Sequence, residues 1–302
     1  MPEVIAGLSP ITVAIPTYRR ERVLTETLQY LLALHSPPAE ILVLDQTEQH
    51  EAATEKQLAA LHANGRIRWV RLDEPSIPKA MNQGLLLATQ ELVLFLDDDI
   101  RPVPALLTQH LAKHAEFADI LVVGRVIQPW HEGKEFPAEE PFHFACTKAQ
   151  WVQEFMGGNF SVRRASALAL GGFDENFVRV AYRFEAEFAY RFRQSGRRIF
   201  FEPLACIHHL KVAAGGTRAY GKLLTTTKPD HAVGVYYHCL RTGSVGEFVW
   251  RFMRAATTRH HLRHPWHIPG TLVGELRGML WAFSLWRQGP RYVSPAQVAE
   301  KA

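Results

Sequence analysis

Short apolar runs alternate with amphipathic segments along most of the chain, and the last part keeps only the helical period. Residues 11–16, ITVAIP, read as a first strand rich in β-branched residues and stopped by Pro16. Leu24, Leu28, Leu31 and Leu32 follow at helical spacing as far as the breaker at 35–38, HSPP. A second run, Ile41 to Leu44, ends at Asp45 and leads into a helix with Leu58 and Leu61, closed by Asn64 and Gly65. Ile67 to Leu72 gives a third strand. After Pro75 and Pro78, residues 80–88 read as a helix feeding a fourth strand, Leu92 to Leu96, which runs straight into Asp97, Asp98 and Asp99. Strands alternating with helices, each strand ending in polar residues, predict a parallel doubly wound sheet of the α/β class.

Asp119 to Ile127 form a further strand, leading into a loop without periodicity, and residues 157–177 read as turn, short strand, helix and second turn. Phe184, Phe188 and Phe192 repeat every four residues as the buried stripe of a helix stopped by Gly196, and a strand starts at Ile199. From about residue 231 strand signals cease. Val245, Phe248, Val249, Phe252, Met253 and Ala256 share one helix face, and Leu272, Leu276, Met279, Leu280, Phe283 and Trp286 repeat the design.

Composition narrows the class without naming a function. With 302 residues the chain can bury a proper core, and 47% hydrophobic with 21% charged residues excludes wholesale disorder. The three cysteines, Cys146, Cys206 and Cys239, lie far apart without a CxxC, as expected of reduced thiols in a cytosolic setting. The first ten residues show no secretory pattern, and no apolar run approaches the length of a membrane span. A formal charge of +4 is too small to imply nucleic acid.

Three strand ends present Thr17 with Arg19, Asp45, and the Asp97 to Asp99 cluster to one edge, where open α/β sheets bind ligands. Side chains alternate along an extended chain, so Asp97 and Asp99 share a side and Asp98 takes the other. Two carboxylates on one side suit a hard divalent cation that keeps positions open for phosphate oxygens. Neither GxGxxG after the first strand nor GxxxxGK[ST] anywhere is present, so phosphates would be held by metal and side chains. That combination points to a nucleotide diphosphate acting as a leaving group.

The segments VAIPTYRR, ILVLDQT, PSIPKAMNQGLLLA and LFLDDDIRP resemble the nucleotide-binding half of a family 2 glycosyltransferase of the GT-A fold, and the resemblance covers roughly residues 10–210. It implies a mixed GT-A sheet flanked by helices, an inverting transfer of a sugar from a nucleotide diphosphate to an acceptor hydroxyl, and Mn²⁺ or Mg²⁺ as cofactor. It places Pro16, Thr17 and Arg19 in the nucleotide pocket, Asp45 on the base, and Asp97 and Asp99 in the DxD motif, Asp99 the better metal ligand, with Asp98 beside them at the donor. The chain departs from the family at Gln46, where a second acid is usual, and at Met81, where an Arg commonly precedes Asn82; Asn82 is itself a candidate at the donor, and Lys79 is the candidate for the missing charge. The family also places a His after the strand from Ile199, which leaves His208 and His209 as candidates to complete the metal site.

The base is sought on the helix after Arg183. Glu187 has Arg191 four residues on, the spacing of an exposed ion pair, which gives it a structural job; Glu185 has Ala189 there and is the freer carboxylate. Aligned on Arg191, Glu185 also holds the position of the family's proton-accepting Asp, so Glu185 is the first candidate and Glu187 the second. The stretch 211–230, rich in Gly, Thr and basic residues, reads as a lid with Arg218 or Lys222 reaching phosphate, or as a disordered connector.

The end of the chain stands apart. From Leu240 to Ala302 nine Arg or Lys face three acids. Basic amphipathic helices bearing Trp suit an anionic membrane surface, the alternative being a subdomain packed on the core or forming a homodimer. The expected organisation is a catalytic domain over 1–230, with a nucleotide half at 10–100 and an acceptor half at 101–230, and a basic helical extension over 231–302. The expected setting is cytoplasmic and peripheral on the inner face of the membrane, with a saccharide or lipid-linked acceptor in cell-surface polysaccharide or glycolipid synthesis. No nucleic-acid-binding motif accompanies the charge. Two rivals share the clustered acids: a nucleotidyltransferase, which would release pyrophosphate, and a non-catalytic sugar-nucleotide-binding protein.

Overall fold

Nine strands form one mixed sheet in this computed structural model, which describes residues 7–137, 140–212, 214–216, 220 and 223–301. The first third of the chain supplies β1 (Ser9–Thr17), α1 (Arg22–Leu32), β2 (Pro38–Asp45), α2 (Ala52–Ala63), β3 (Arg68–Arg71), α3 (Ile77–Leu87) and β4 (Leu92–Leu96). β5 (Ile100–Pro102), α4 (Leu106–Glu116), β6 (Leu121–Ile127), β7 (Gln150–Val152), β8 (Asn159–Arg163), α5 (Arg164–Ala169), α6 (Phe184–Gln194) and β9 (Ile199–His209) complete the sheet and its helices. The order is β3-β2-β1-β4-β8-β6-β9-β5, with β7 on β9. β1 to β4 run parallel, whereas β8 is antiparallel to both neighbours and makes the sheet mixed. β5 and β7 carry no periodic signal in the sequence; each is three residues long and exists through its pairing with β9.

Alternation along the strands feeds both faces. Ile11, Val13 and Ile15 of β1 pack with Leu24, Leu28 and Leu31 of α1 on one side, while Ala14 joins Leu42, Leu44, Phe95 and Phe160 on the other. The chain leaves β3 at one edge and returns to the far side of β1 as β4, so the strand order reverses between β1 and β4. Their register, Thr12 beside Val93 and Ala14 beside Phe95, carries Thr17 to the level of Asp98. A reversal of strand order opens a crevice beyond the carboxyl ends of the strands, and both motifs lie there.

Beyond the sheet come α7 (Val233–Thr242), α8 (Val245–Ala255), α9 (Arg259–Arg263), α10 (Ile268–Gln288) and α11 (Pro295–Lys301). α7 is not peripheral: Val233, Tyr236 and Tyr237 are fully buried and share a core with Phe184 and Phe188 of α6. The Tyr237 hydroxyl donates to Asp174 at 2.7 Å and that of Tyr236 to Glu275 at 2.7 Å, which ties α7 to the sheet side and to α10. No helix among the described residues is long and apolar enough to cross a membrane. The three cysteines are buried and unpaired.

Candidate active site

The crevice is lined by Pro16, Thr17, Tyr18 and Arg20 after β1, Gln46 after β2, Ser76 and Met81 at the start of α3, and the three acids after β4. Arg179, His209, Gly216 and Tyr220 close it from the second half of the chain. Asp98 and Asp97 diverge as strand alternation requires. Asp98 turns inward, accepts the Thr17 hydroxyl at 2.7 Å and lies 3.1 Å from Arg20 Nε. Burial pushes its carboxyl up to about 7 despite the Arg20 charge.

Asp97 and Asp99 share the other side and meet His209. Its Nε2 lies 3.0 Å from Asp99 Oδ1 and 3.8 Å from Asp97 Oδ2. Pairing of β5 with β9 sets Ile100 opposite His209, which brings the end of β9 beside Asp99. His208, one residue earlier, points away and meets Glu132 at 2.7 Å. Period-two alternation thus selects between the histidines. Burial works against ionisation of both partners, yet the His209 hydrogen bond and the Arg20 charge hold Asp99 below the ordinary carboxylate range, and the two carboxylates hold His209 above its own.

Candidate ligand atoms of Asp97, Asp99 and His209 lie within 4.8 Å of one another, and His209 Nδ1 is buried without a hydrogen-bond partner. Two carboxylates and an imidazole can hold a divalent cation and leave positions for substrate oxygens. His238, Cys239 and Glu247 form a second such group, but Arg183 pairs with Glu247 there and repels a cation.

Glu185 faces the Asp97, Asp99 and His209 group across Gly157 and Gly158. A Cβ on Gly157 would lie 3.0 Å from Glu185 Oε1, and one on Gly158 would lie 2.2 Å from Asp97 Oδ2, so this turn admits no side chain at Gly158 without moving Asp97. Burial pushes the Glu185 carboxyl up to about 7, and the nearby Asp97 charge adds to the effect. Residues Arg179, Ala181 and Arg183 all have positive φ in the segment that carries Arg179 to the crevice and starts α6 at Glu185. Backbone held in that region by non-glycine residues is a recurrent feature of functional sites.

Several sequence expectations are corrected. Arg19 does not enter the crevice: its φ of 53° breaks the alternation, sends its side chain out to Glu48 at 3.1 Å, and turns Arg20 inward instead. Asp45 is fully buried and spent within the protein, accepting from Thr47 N–H at 2.9 Å, Trp69 Nε1 at 2.8 Å and His50 Nε2 at 2.8 Å; Gln46 takes the place at the wall. Lys79 pairs with Glu74 on the surface and lends no charge to the crevice. Asn82 braces residues 173–175, accepting from Phe173 N–H at 2.8 Å and donating to its carbonyl at 2.9 Å. Glu187 does pair with Arg191, at 2.8 Å, but the pair is buried rather than exposed, and Glu187 also accepts the Tyr292 hydroxyl at 3.3 Å, which removes it from the crevice. Arg218 and Lys222 lie outside the described residues, although Gly216 and Tyr220 from the same stretch line the crevice.

Sequence reasoning missed Arg20 and Arg179. The signal for Arg20 was its place beside Arg19 after a strand end; Arg179 sits in an irregular segment with no period to mark it.

The sequence model of Glycosyl transferase family 2 matches residues 12–185. Among solved structures, the chain is similar to GalNAc-T7 with UDP, GalNAc and Mn²⁺, at a TM-score of 0.58 and 17% identity over 78% of this chain and 51% of that one. It is similar to S. aureus TarS 1-349 in complex with UDP-GlcNAc, at 0.56 and 18% over 79% and 66%. The mannosyltransferase PcManGT from Pyrobaculum calidifontis in complex with GDP-Man and Mn²⁺ gives 0.54 and 17% over 93% and 79%. The chain spans about half the length of the first of these and just under two thirds of the second. At such identities the likeness is one of fold. No curated protein sequence matches the chain.

Proposed function

The chain belongs to glycosyl transferase family 2 and has the GT-A fold, and on that premise we propose that it transfers a sugar from a nucleotide diphosphate to an acceptor hydroxyl with inversion. The observation that carries this reading is the placement of Glu185 across Gly157 and Gly158 from the Asp97, Asp99 and His209 group, at the point where strand order reverses. The acceptor oxygen attacks the anomeric carbon as the bond to the diphosphate breaks; the electron pair leaves with the nucleoside diphosphate and the acceptor proton passes to Glu185. One displacement from the face opposite the leaving group inverts the centre. Mn²⁺ or Mg²⁺ held by Asp97, Asp99 and His209 would neutralise charge on the departing diphosphate. Arg20 and Arg179 supply positive charge at the same wall, in the role the sequence suggested for Arg19 and Lys79, while Tyr18, Gln46 and Ser76 are placed to meet the nucleoside.

Residues 1–230 are the catalytic unit in this reading, and 231–302 an extension folded onto it. The related folds bound to UDP, UDP-GlcNAc or GDP-Man support a nucleotide-sugar donor, and we favour a uridine or thymidine diphosphate. The acceptor would be a saccharide or lipid-linked hydroxyl in cell-surface polysaccharide or glycolipid synthesis, met at the cytoplasmic face of a membrane.

The test is a panel of nucleotide sugars assayed with Mn²⁺ and with EDTA, reading thermal protection and donor hydrolysis. Protection by one donor that vanishes with EDTA is expected. Pyrophosphate release from a nucleoside triphosphate would replace this reading with a nucleotidyltransferase, and protection without turnover in any acceptor extract would leave a binding protein.

A further inference from the structure

α10 is built in reverse of a helix on a watery surface. Thr271, Gly274, Gly278 and Ala282 make its buried side, and Gly278 comes so close to α7 that a Cβ on it would lie 2.6 Å from that of Ala232. On the opposite side Val273, Leu276, Leu280 and Phe283 recur at spacings of three and four and stand exposed, Leu280 at 73%. The small residues go inward and the large apolar ones outward. α8 does likewise: Phe248 packs on Tyr236, while Val249, Trp250 and Met253 face out, Trp250 at 63%. Between the two helices, the corner from α9 into residues 265–267 exposes Leu262 at 78% and Trp266 at 68%. Apolar exposure on this scale across adjoining elements marks an interaction surface.

Charge identifies what covers it. Both acids of α8 and α10 are satisfied internally: Glu275 pairs with Arg251 at 2.6 Å and accepts from Tyr236, and Glu247 pairs with Arg183. Arg254, Arg259, Arg263 and Arg287 are exposed and have no ion pair among the described residues. A face of Trp, Leu and Arg with no outward acid complements phosphate headgroups over an acyl layer, the Trp rings fitting the boundary between them. A two-fold contact with a second copy would instead set these arginines against one another.

We propose that the outward faces of α8, the α9 corner and α10 form one docking surface for an anionic lipid bilayer. The surface adjoins the crevice: the Arg179 guanidinium lies 5.8 Å from the Trp281 ring of α10, and Arg277 donates to the Thr227 carbonyl at 3.2 Å, in the segment that leads back to Tyr220. Docking here would hold the crevice beside the membrane, so that the acceptor hydroxyl, on the transferase reading above, is one carried by a lipid.

The full chain should be floated with phosphatidylcholine vesicles, with and without phosphatidylglycerol, alongside Trp250→Ala/Trp266→Ala and Leu280→Glu variants. Thermal protection by nucleotide sugar and Mn²⁺, measured on the same samples, reports the crevice separately. The native chain is expected to float only with the anionic vesicles, and both variants to lose at least ten-fold in apparent affinity while keeping donor protection. Equal recovery with and without anionic lipid, or undiminished flotation of both variants, would overturn the proposal even if donor protection holds. So would a solution dimer that Leu280→Glu converts to monomer, which would assign the face to a second copy. Loss of donor protection in the native chain with flotation intact would remove the transferase reading and leave the docking surface standing.

Discussion

The crevice and the helical layer leave charge standing in opposite senses. At the crevice, Asp97, Asp98 and Asp99 gather at one sheet edge with Arg20 and His209 as close partners, Glu185 of α6 stands beside Gly157, and burial raises Asp98 and Glu185 to about 7. In the helical layer every acid of α8 and α10 has an inward partner, and arginines are left facing out. A surplus of one sign costs the folded state self-repulsion, so its persistence marks where the opposite sign arrives. On the proposals above, the crevice would take a cation with a nucleotide and the layer an anionic surface.

The strongest way to break this comparison is at the crevice itself. Glu185→Gln should lower transfer by about 10²- to 10⁴-fold while retaining donor protection by Mn²⁺, whereas Asp99→Asn should lose both; product formation and melting curves separate the two. Glu187 lies two residues along the same helix but belongs to the packed interior. Glu187→Gln leaves Arg191 without its carboxylate, whereas Arg241 keeps Asp174, and should cost roughly 3–5 kcal/mol of stability with turnover per folded molecule unchanged, as read by urea unfolding. A variant as stable as the native chain but inactive would reverse the roles assigned to these two residues.

A third measurement probes charge that the fold excludes. His110 and His114 are buried under the sheet with Ser161 and Asn159, and burial drives their imidazoles down to about 4 and about 3. They stay neutral in the native state and charge on unfolding. Their contribution is therefore complete above the unfolded value of about 6.5 and drains as pH falls from there toward 4, at up to roughly 2.7 kcal/mol per pH unit for two protons. Because Asp98 and Glu185, raised to about 7, act in the opposite sense over this range, the effect is read ring by ring: imidazole NMR shifts of His110 and His114 should stay flat from pH 7.5 to 5.5, and a titration in that window would mean these rings carry charge inside the fold. The smallest effects belong to the surface pairs. Arg19→Ala and Lys79→Ala should each change donor affinity by less than about 1 kcal/mol, because both side chains serve Glu48 and Glu74 in solvent, while Arg20→Ala should weaken it well beyond either.

Much of the fold was legible because its signals are local. The apolar runs at 11–16, 41–44 and 92–96 became β1, β2 and β4, the Phe184, Phe188 and Phe192 stripe became α6, and the acids were legible as the end of a strand. Period-two alternation also divided Asp98 from Asp97 and Asp99. Nearest-neighbour logic failed wherever a backbone angle or a distant pairing intervened. Arg19 at positive φ exchanged places with Arg20, and Asp45 was consumed by Trp69 and His50, leaving Gln46 at the wall.

From the sequence alone came most of the strands and helices, though not β5, β7, α4 or α7, together with the carboxylates of the edge and the basic amphipathic character of the end. Tertiary structure decided that His209 rather than His208 meets Asp99, through the three-residue pairing of β5 with β9. It decided that Glu187 is held by Arg191 while Glu185 meets the turn beside Asp97, and that α10 turns its glycines inward and its leucines outward. The physical reason is common to all three. Periodicity tells which residues share a face, but only register and packing between segments far apart in sequence tell what that face meets.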